Sequence, residues 1–254
     1  SAEVSYALML KASGEVRFHA GNGQYLESGT GDYANDGTWH HIVGRKSGST
    51  FTIFVDNVDK GGTRTGVDDL TTDNNEALRI GGDTHSSAHR FVSGSIADVR
   101  IYSDALTTGE ITTLYNSGSN PATNGGNTFA THTDNLVGHW KLNEAGLGRA
   151  YDFSGNMNHG VNSGVTSTAG TYAANFDGSN DYVDCGTDTD YDVEGNFSIS
   201  AWCKNDDTTF GGQEHILGKY TGSNGQRCYR LLGKDTDKLV FNVGIGNGGG
   251  DSAN

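Results

Sequence analysis

Apolar and polar residues alternate in segment after segment of this chain, and a period of two commits most of it to β-strands. In FTIFVDN, Phe51, Ile53 and Val55 fall on one face and Thr52 and Phe54 on the other, and Asp56-Asn57 supplies a hairpin turn. SIADVRIY puts Ala97, Val99 and Ile101 on one face and Ile96, Asp98, Arg100 and Tyr102 on the other, so its second face is mixed. FSISAWCK sets Phe197, Ile199, Ala201 and Cys203 inward and Ser198, Ser200 and Lys204 outward, and Leu239 to Val243 reads as a further strand. The 39 glycines mark many loops, yet long proline-free runs of Val, Ile, Phe and Tyr separate them, which argues against disorder or a collagen-like repeat.

One segment reads as a helix, ALTTGEITTLYNSG, expected over 107–117. Thr107 and Glu110 form a capping box, Leu106 and Ile111 a hydrophobic staple, and Gly118 can close the last turn. Ile111, Leu114 and Tyr115 make its packed face. Many strands with one short helix predict an all-β antiparallel sandwich, a jelly roll closed over a single core. Residues 119–135 hold the chain's one proline, several Asn and Thr and almost nothing apolar, and are expected to be a linker.

The formal charge of −14 comes with only 17 scattered Lys and Arg, which excludes a phosphate backbone as partner. Cys185, Cys203 and Cys228 are odd in number and lack metal-ligand spacing, so a full disulfide framework is excluded; one bridge stays open, and buried free thiols are the expected state. No apolar run approaches membrane-span length, so no membrane insertion is expected, and an export signal is expected to lie outside these residues.

An ordered series of motifs carries a family resemblance. From Leu136 onward, LVGHWKLNEAGLGRAYDFSGNMNHGVNSG, ANFDGSNDYVDCG, FSISAWCK, ILGKY and YRLLGKDTDKLVFNV resemble the first half of laminin-G-like jelly rolls of the concanavalin A-like lectin/glucanase superfamily. YALMLKASGEVRF, DGTWHHIVG, FTIFVDNV, ALRIGGD and SGSIADVRIYSDALTTGEITTLYN, in residues 1–118, resemble the second half. The resemblance implies the C-terminal portion of one module in 1–118 and the N-terminal portion of another in 136–254. Tyr229 to Val243 also aligns without gaps to Tyr6 to Ala20, an offset of 223 residues, so one strand pair occurs twice, as in a slice through a tandem array. Either portion alone would expose an apolar sheet face and unpaired edges, so the two are expected to complement each other, within one chain or head to tail between chains.

The superfamily includes glucanases, which carry paired carboxylates in a Glu-x-Asp-x-x-Glu type run. No such run occurs here, and Glu144, Asp152, Asp181 and Asp184 sit in turn-like contexts, so the chain is expected to be non-catalytic. A structural calcium is the sharper expectation. YDFSGNMNHG packs Asp152, Asn156 and Asn158 into a tight loop of oxygen donors, and the resemblance adds Asp98 as a fourth ligand. Turn formation by the same Asp and Asn side chains is the competing reading. In FDGSNDYVD, Asp177, Asn180, Asp181 and Asp184 are expected to hold a turn, and the resemblance implies that Phe176 and Tyr182 press into the core. Alternation puts one of His40 and His41 in and one out without a metal, and Trp39, Trp140 and Trp202 are expected to be packed.

The sequence assigns no ligand-binding residues. The expected function is an extracellular recognition or adhesion module, cell-surface or virion-associated, that binds a glycan or a surface protein through rim loops. The second reading is a structural repeat of an adhesin stalk or fibre, built by self-assembly of complementary half-modules.

Overall fold

The computed structural model describes residues 5–10, 16–20, 24–27, 37–60, 77–82, 91–117, 121, 133–144, 148–167, 172–193, 195–206, 213–220, 227–234 and 238–244; for 5–27, 213–215 and 219–244 the description is of backbone pairing alone. In chain order the strands are β1 (Ser5–Leu10), β2 (Val16–Ala20), β3 (Gln24–Glu27), β4 (His40–Ser47), β5 (Thr50–Val55), β6 (Val58–Asp59), β7 (Leu78–Ile80) and β8 (Ser93–Tyr102). After helix α1 (Thr108–Asn116) come β9 (Leu136–Trp140), β10 (Arg149–Ala150), β11 (Gly160–Ser163), β12 (Ala174–Asp177), β13 (Tyr182–Asp184), β14 (Phe197–Asn205), β15 (Gln213–Tyr220), β16 (Arg227–Lys234) and β17 (Lys238–Gly244).

These strands form two antiparallel sheets packed as a sandwich. One runs β10-β11-β13-β7-β15-β16-β17-β1-β2-β3, and the other β12-β8-β14-β4-β5-β6 with β9 also on β8. The sequence expectation of an antiparallel β-sandwich with one helix near 107–117 is met. The two portions interleave: β14, from the second, lies between β4 and β8 of the first, and β7 lies between β13 and β15. A single apolar cluster holds Ile42, Ile53, Ile80 and Val99 together with Trp140, Val183, Ile199 and Leu217. The expected linker falls mostly outside the described residues, as does Gly118.

Local chemistry explains the elements. Asp56 and Asn57 both have positive φ, 50° and 63°, the geometry of the tight turn that suits a two-residue hairpin between β5 and β6. Thr107 caps α1, with Glu110 N–H donating to its hydroxyl at 3.3 Å and the Thr107 N–H donating to the Glu110 carboxylate at 2.6 Å. Leu106 and Ile111, the expected staple, share a buried cluster with Val43, Phe54, Tyr102, Leu114 and Leu136.

That cluster lies on the side of the seven-stranded sheet away from the sandwich core, so α1 covers the sheet's second face. Strand β14 is consequently buried on both sides. Ser198 and Ser200 point away from the core, as expected, yet are 0% and 1% exposed. The Ser198 hydroxyl accepts from Leu106 N–H at 2.9 Å and donates to the Asp104 carbonyl at 3.0 Å, tying the helix entry to the sheet.

Strand β8 corrects the sequence reading. Ser200 pairs with Arg100 but Trp202 pairs with Ala97, so Asp98 and Val99 together oppose Ala201 in a β-bulge. Asp98 adopts φ 48°, a left-handed conformation that Asp tolerates better than most residues. The extra residue reverses the alternation. Ile96 therefore joins Val99 and Ile101 in the core, while Ala97 packs on the other face with Ala173 and Trp202.

Under α1 lies His41, 2% exposed, its ring 5.1 Å from Trp202 and 6.1 Å from Tyr115. Its Nδ1 is buried without a hydrogen-bond partner among the described residues. Burial drives this imidazole down from its ordinary 6.5 to about 4. A histidine kept neutral when folded but free to take a proton when unfolded stabilises fully above pH 6.5, and that contribution is lost as pH falls towards 4. Urea denaturation should show stability dropping across this window by about 3 kcal/mol from His41 alone. His41→Gln should remove that part of the slope; an unchanged slope in the variant would assign it to other groups.

Candidate functional site

The loop between β10 and β11 is organised around one carboxylate. Asp152 makes an isolated bridge to Trp140 at the end of β9. Its Oδ1 accepts from the backbone N–H groups of His139 and Ser154, both at 2.9 Å, and its Oδ2 accepts from the Ser154 hydroxyl at 2.7 Å and Asn158 N–H at 3.0 Å. Four donors fill the four lone-pair directions of a carboxylate. The Asp152 N–H donates to Nδ1 of His159 at 3.0 Å, which makes that ring nitrogen an acceptor. Asn156 Nδ2 donates to the Val137 carbonyl at 2.9 Å, and the Asn158 carbonyl accepts from Trp140 Nε1 at 3.0 Å. Glu144, whose carboxyl is pushed up by burial, accepts from Tyr151 N–H at 3.2 Å. Gly138 lets the Trp140 indole lie flat across the strand, since a Cβ there would come within 2.3 Å of the ring.

With the polar groups turned inward, the intervening side chains are turned out. Tyr151 is 48% exposed, Phe153 47%, Met157 76% and Val161 57%; among the described residues the other exposed large hydrophobic is Val58. Lys141 Nζ stands 3.9 Å from the Phe153 ring centroid, and Tyr151 meets His159 edge to face at 5.3 Å. Met157 has φ 60° at the loop tip, and its carbonyl accepts from His159 N–H at 2.8 Å. Four large apolar side chains are thus exposed on the 151–159 loop and the start of β11, and Met157 adopts a left-handed backbone conformation.

Sequence reasoning assigned no ligand-binding residue, and it expected the tryptophans to be packed. Trp140 and Trp202 are 0% and 1% exposed, and Trp39 is half-buried against the cluster around Trp202, so the expectation of packed indoles holds. The legible signal was Tyr-Asp-Phe, where period two places two aromatics outward once the aspartate faces in.

Asp98 stands on the other side of His139. Its carboxylate accepts from Arg100 Nε at 2.9 Å and Nη2 at 3.2 Å and from His139 Nε2 at 2.7 Å, with Asp98 and Arg100 3% and 0% exposed. Burial opposes its ionisation, but the Arg100 guanidinium and the His139 hydrogen bond hold this carboxyl well below the usual range. His139 is driven down chiefly by burial, and it donates as a neutral ring.

The residues expected to hold calcium do not fit it as arranged. Asp98 already faces a buried guanidinium, whose positive charge would repel a divalent cation. Both Asp152 oxygens are saturated by donors, and Asn156 is turned to a carbonyl. Among the described residues, no group of three or more His, Cys, Asp or Glu is placed to hold a metal ion. Asp152 makes the side-chain-to-backbone turn bonds of the competing reading, whereas the Asn156 amide reaches the Val137 carbonyl and Asn158 Nδ2 is buried without a hydrogen-bond partner among the described residues; Asp98 is linked to them through His139.

Other expectations resolve simply. Asp177 accepts from Ser179 and Asn180 N–H, and Asp184 from Gly186 N–H, as turn formers. Phe176 is in the core, but Tyr182 is half-buried beneath the Arg79 guanidinium, and Val183 is the core residue of that strand. His40 bonds Asp56 Oδ2 at 2.8 Å, and Cys185 and Cys203 are buried free thiols.

Residues 1–112 match a laminin-G family model described as the concanavalin A-like lectin/glucanases superfamily. Domains of that type are carbohydrate- or protein-binding modules and are generally non-catalytic. Searches of curated proteins and of solved structures returned no match.

Two outcomes follow from the geometry. Asp98→Ala should destabilise the fold by about 3–5 kcal/mol, because it removes the carboxylate that faces the buried Arg100 guanidinium; a change below about 1 kcal/mol in urea titration would contradict the pair's role. The melting midpoint should be the same with excess calcium and with a chelator, and a fall on chelation would restore calcium to the 152–158 loop.

Proposed function

We propose that this chain is a non-catalytic recognition module that binds carbohydrate or a surface protein through the rim loop 151–159 and the adjoining start of β11. The observation that carries the reading is the outward display of Tyr151, Phe153, Met157 and Val161 from a loop fixed internally by Asp152. Aromatic rings stack on the apolar faces of sugars, and a loop already rigid loses little entropy on binding. The laminin-G-type match over residues 1–112 supports the same class of activity and an extracellular setting, within which the proposal places the chain at a cell surface or on a virion. No helix among the described residues is long and apolar enough to cross a membrane.

The doubled hairpin favours a second reading, a structural repeat of an adhesin stalk or an extracellular or virion fibre. In that reading sheet edges are the contact surface, and the rim loop is incidental.

A panel of neutral and sulfated glycans, with calorimetry on the strongest hit, tests the first reading. Tyr151→Ala with Phe153→Ala should lower affinity roughly tenfold or more, about 1 kcal/mol per ring, while the melting midpoint stays near that of the parent. Full retention of binding by the double variant would move the site elsewhere.

A further inference from the structure

The hairpin that carries the rim surface keeps its alternation beyond its two short strands. Arg149 pairs with Val161 and Ala150 with Gly160 across β10 and β11, and one step further Tyr151 meets His159, their rings edge to face at 5.3 Å. Period two then divides the side chains. Ala150 and Gly160 turn into the sandwich and are buried, while Arg149, Tyr151 and Val161 are exposed and His159 is half-buried. His159 therefore belongs to the outward strip, between Met157 and Val161 along the chain and across from Tyr151.

What this ring presents to a ligand is fixed from behind. Nδ1 accepts from the Asp152 N–H at 3.0 Å, so the proton of the neutral imidazole sits on Nε2. Nε2 has no hydrogen-bond partner among the described residues, yet it is not one of the buried atoms left without one, and so it is open to solvent. A donor whose ring is held at Nδ1 and packed on Tyr151 points in one direction.

We infer that His159 is the positioning residue of the rim site: where Tyr151 and Phe153 stack on a sugar, the His159 Nε2–H donates to an oxygen at the edge of that sugar and sets which way round it lies. The inference rests on the carbohydrate reading above and adds the polar contact that gives it a direction. Stacking on an aromatic face leaves a sugar ring free to turn, and one fixed donor beside the face removes that freedom.

Two substitutions in the full chain separate this role from bracing of the loop. His159→Asn puts an acceptor oxygen where Nδ1 stands and has no atom at the place of Nε2, whereas His159→Gln carries an amide N–H out to that place and gives up the acceptor. Against the panel of neutral and sulfated glycans, His159→Asn should bind the best hit roughly three- to tenfold more weakly with the melting midpoint near that of the parent. His159→Gln should recover part of that loss while melting lower. A residue that only braced the loop would give the reverse order, so unchanged binding by His159→Asn, or weaker binding by His159→Gln than by His159→Asn, overturns the assignment. Tyr151→Ala with Phe153→Ala separates the two levels. If that variant loses binding and His159→Asn does not, the rim site stands without this role; if it binds as the parent does, or if no glycan of the panel binds, the carbohydrate reading and this inference fall together.

Discussion

The ion pair between Asp98 and Arg100 is the constraint around which the seven-stranded sheet is arranged. Both groups are almost wholly removed from water, and neither could remain so without the other. Asp98 and Arg100, two residues apart on β8, share the face turned away from the core, and the bulge at Asp98 sets which apolar side chains of that strand meet the core. His139 extends the network to β9, and its own N–H leads to Asp152. One chain of polar contacts therefore runs from the middle of β8 to the loop that displays Tyr151 and Phe153. The precision of an exposed surface depends here on charge buried behind it.

Much of this was legible in the sequence. The alternation in FTIFVDN and FSISAWCK assigned the inward faces correctly, because those strands keep an uninterrupted period of two. The capping box at Thr107 and Glu110 and the staple at Leu106 and Ile111 located the helix, since both are local and need no tertiary information. Tyr182 was misplaced because a neighbouring arginine can cover an aromatic ring as well as a core can.

What escaped the sequence depended on contacts between distant segments. The bulge at Asp98 changes the phase of β8 without any glycine to announce it. The mixed second face of β8 and the serines of β14 looked solvent-facing, yet α1 lies over them, and nothing in either strand encodes that cover. The carboxylate of Asp152 resembled a cation ligand because a turn and a calcium loop draw on the same side chains. Only the direction of the donors distinguishes them.

The position of β14 bears on how the molecule comes into being. Residues 197–205 form the inner strand between β4 and β8, while the helix that closes over it is encoded near residue 110. During synthesis the first strands and the helix emerge well before the strand they must flank, so the seven-stranded sheet cannot close until some ninety residues later have left the ribosome. Contacts of such long sequence separation form slowly. The order of the portions thus makes the nascent chain a waiting state, with one sheet split down its middle and its apolar faces in need of shelter.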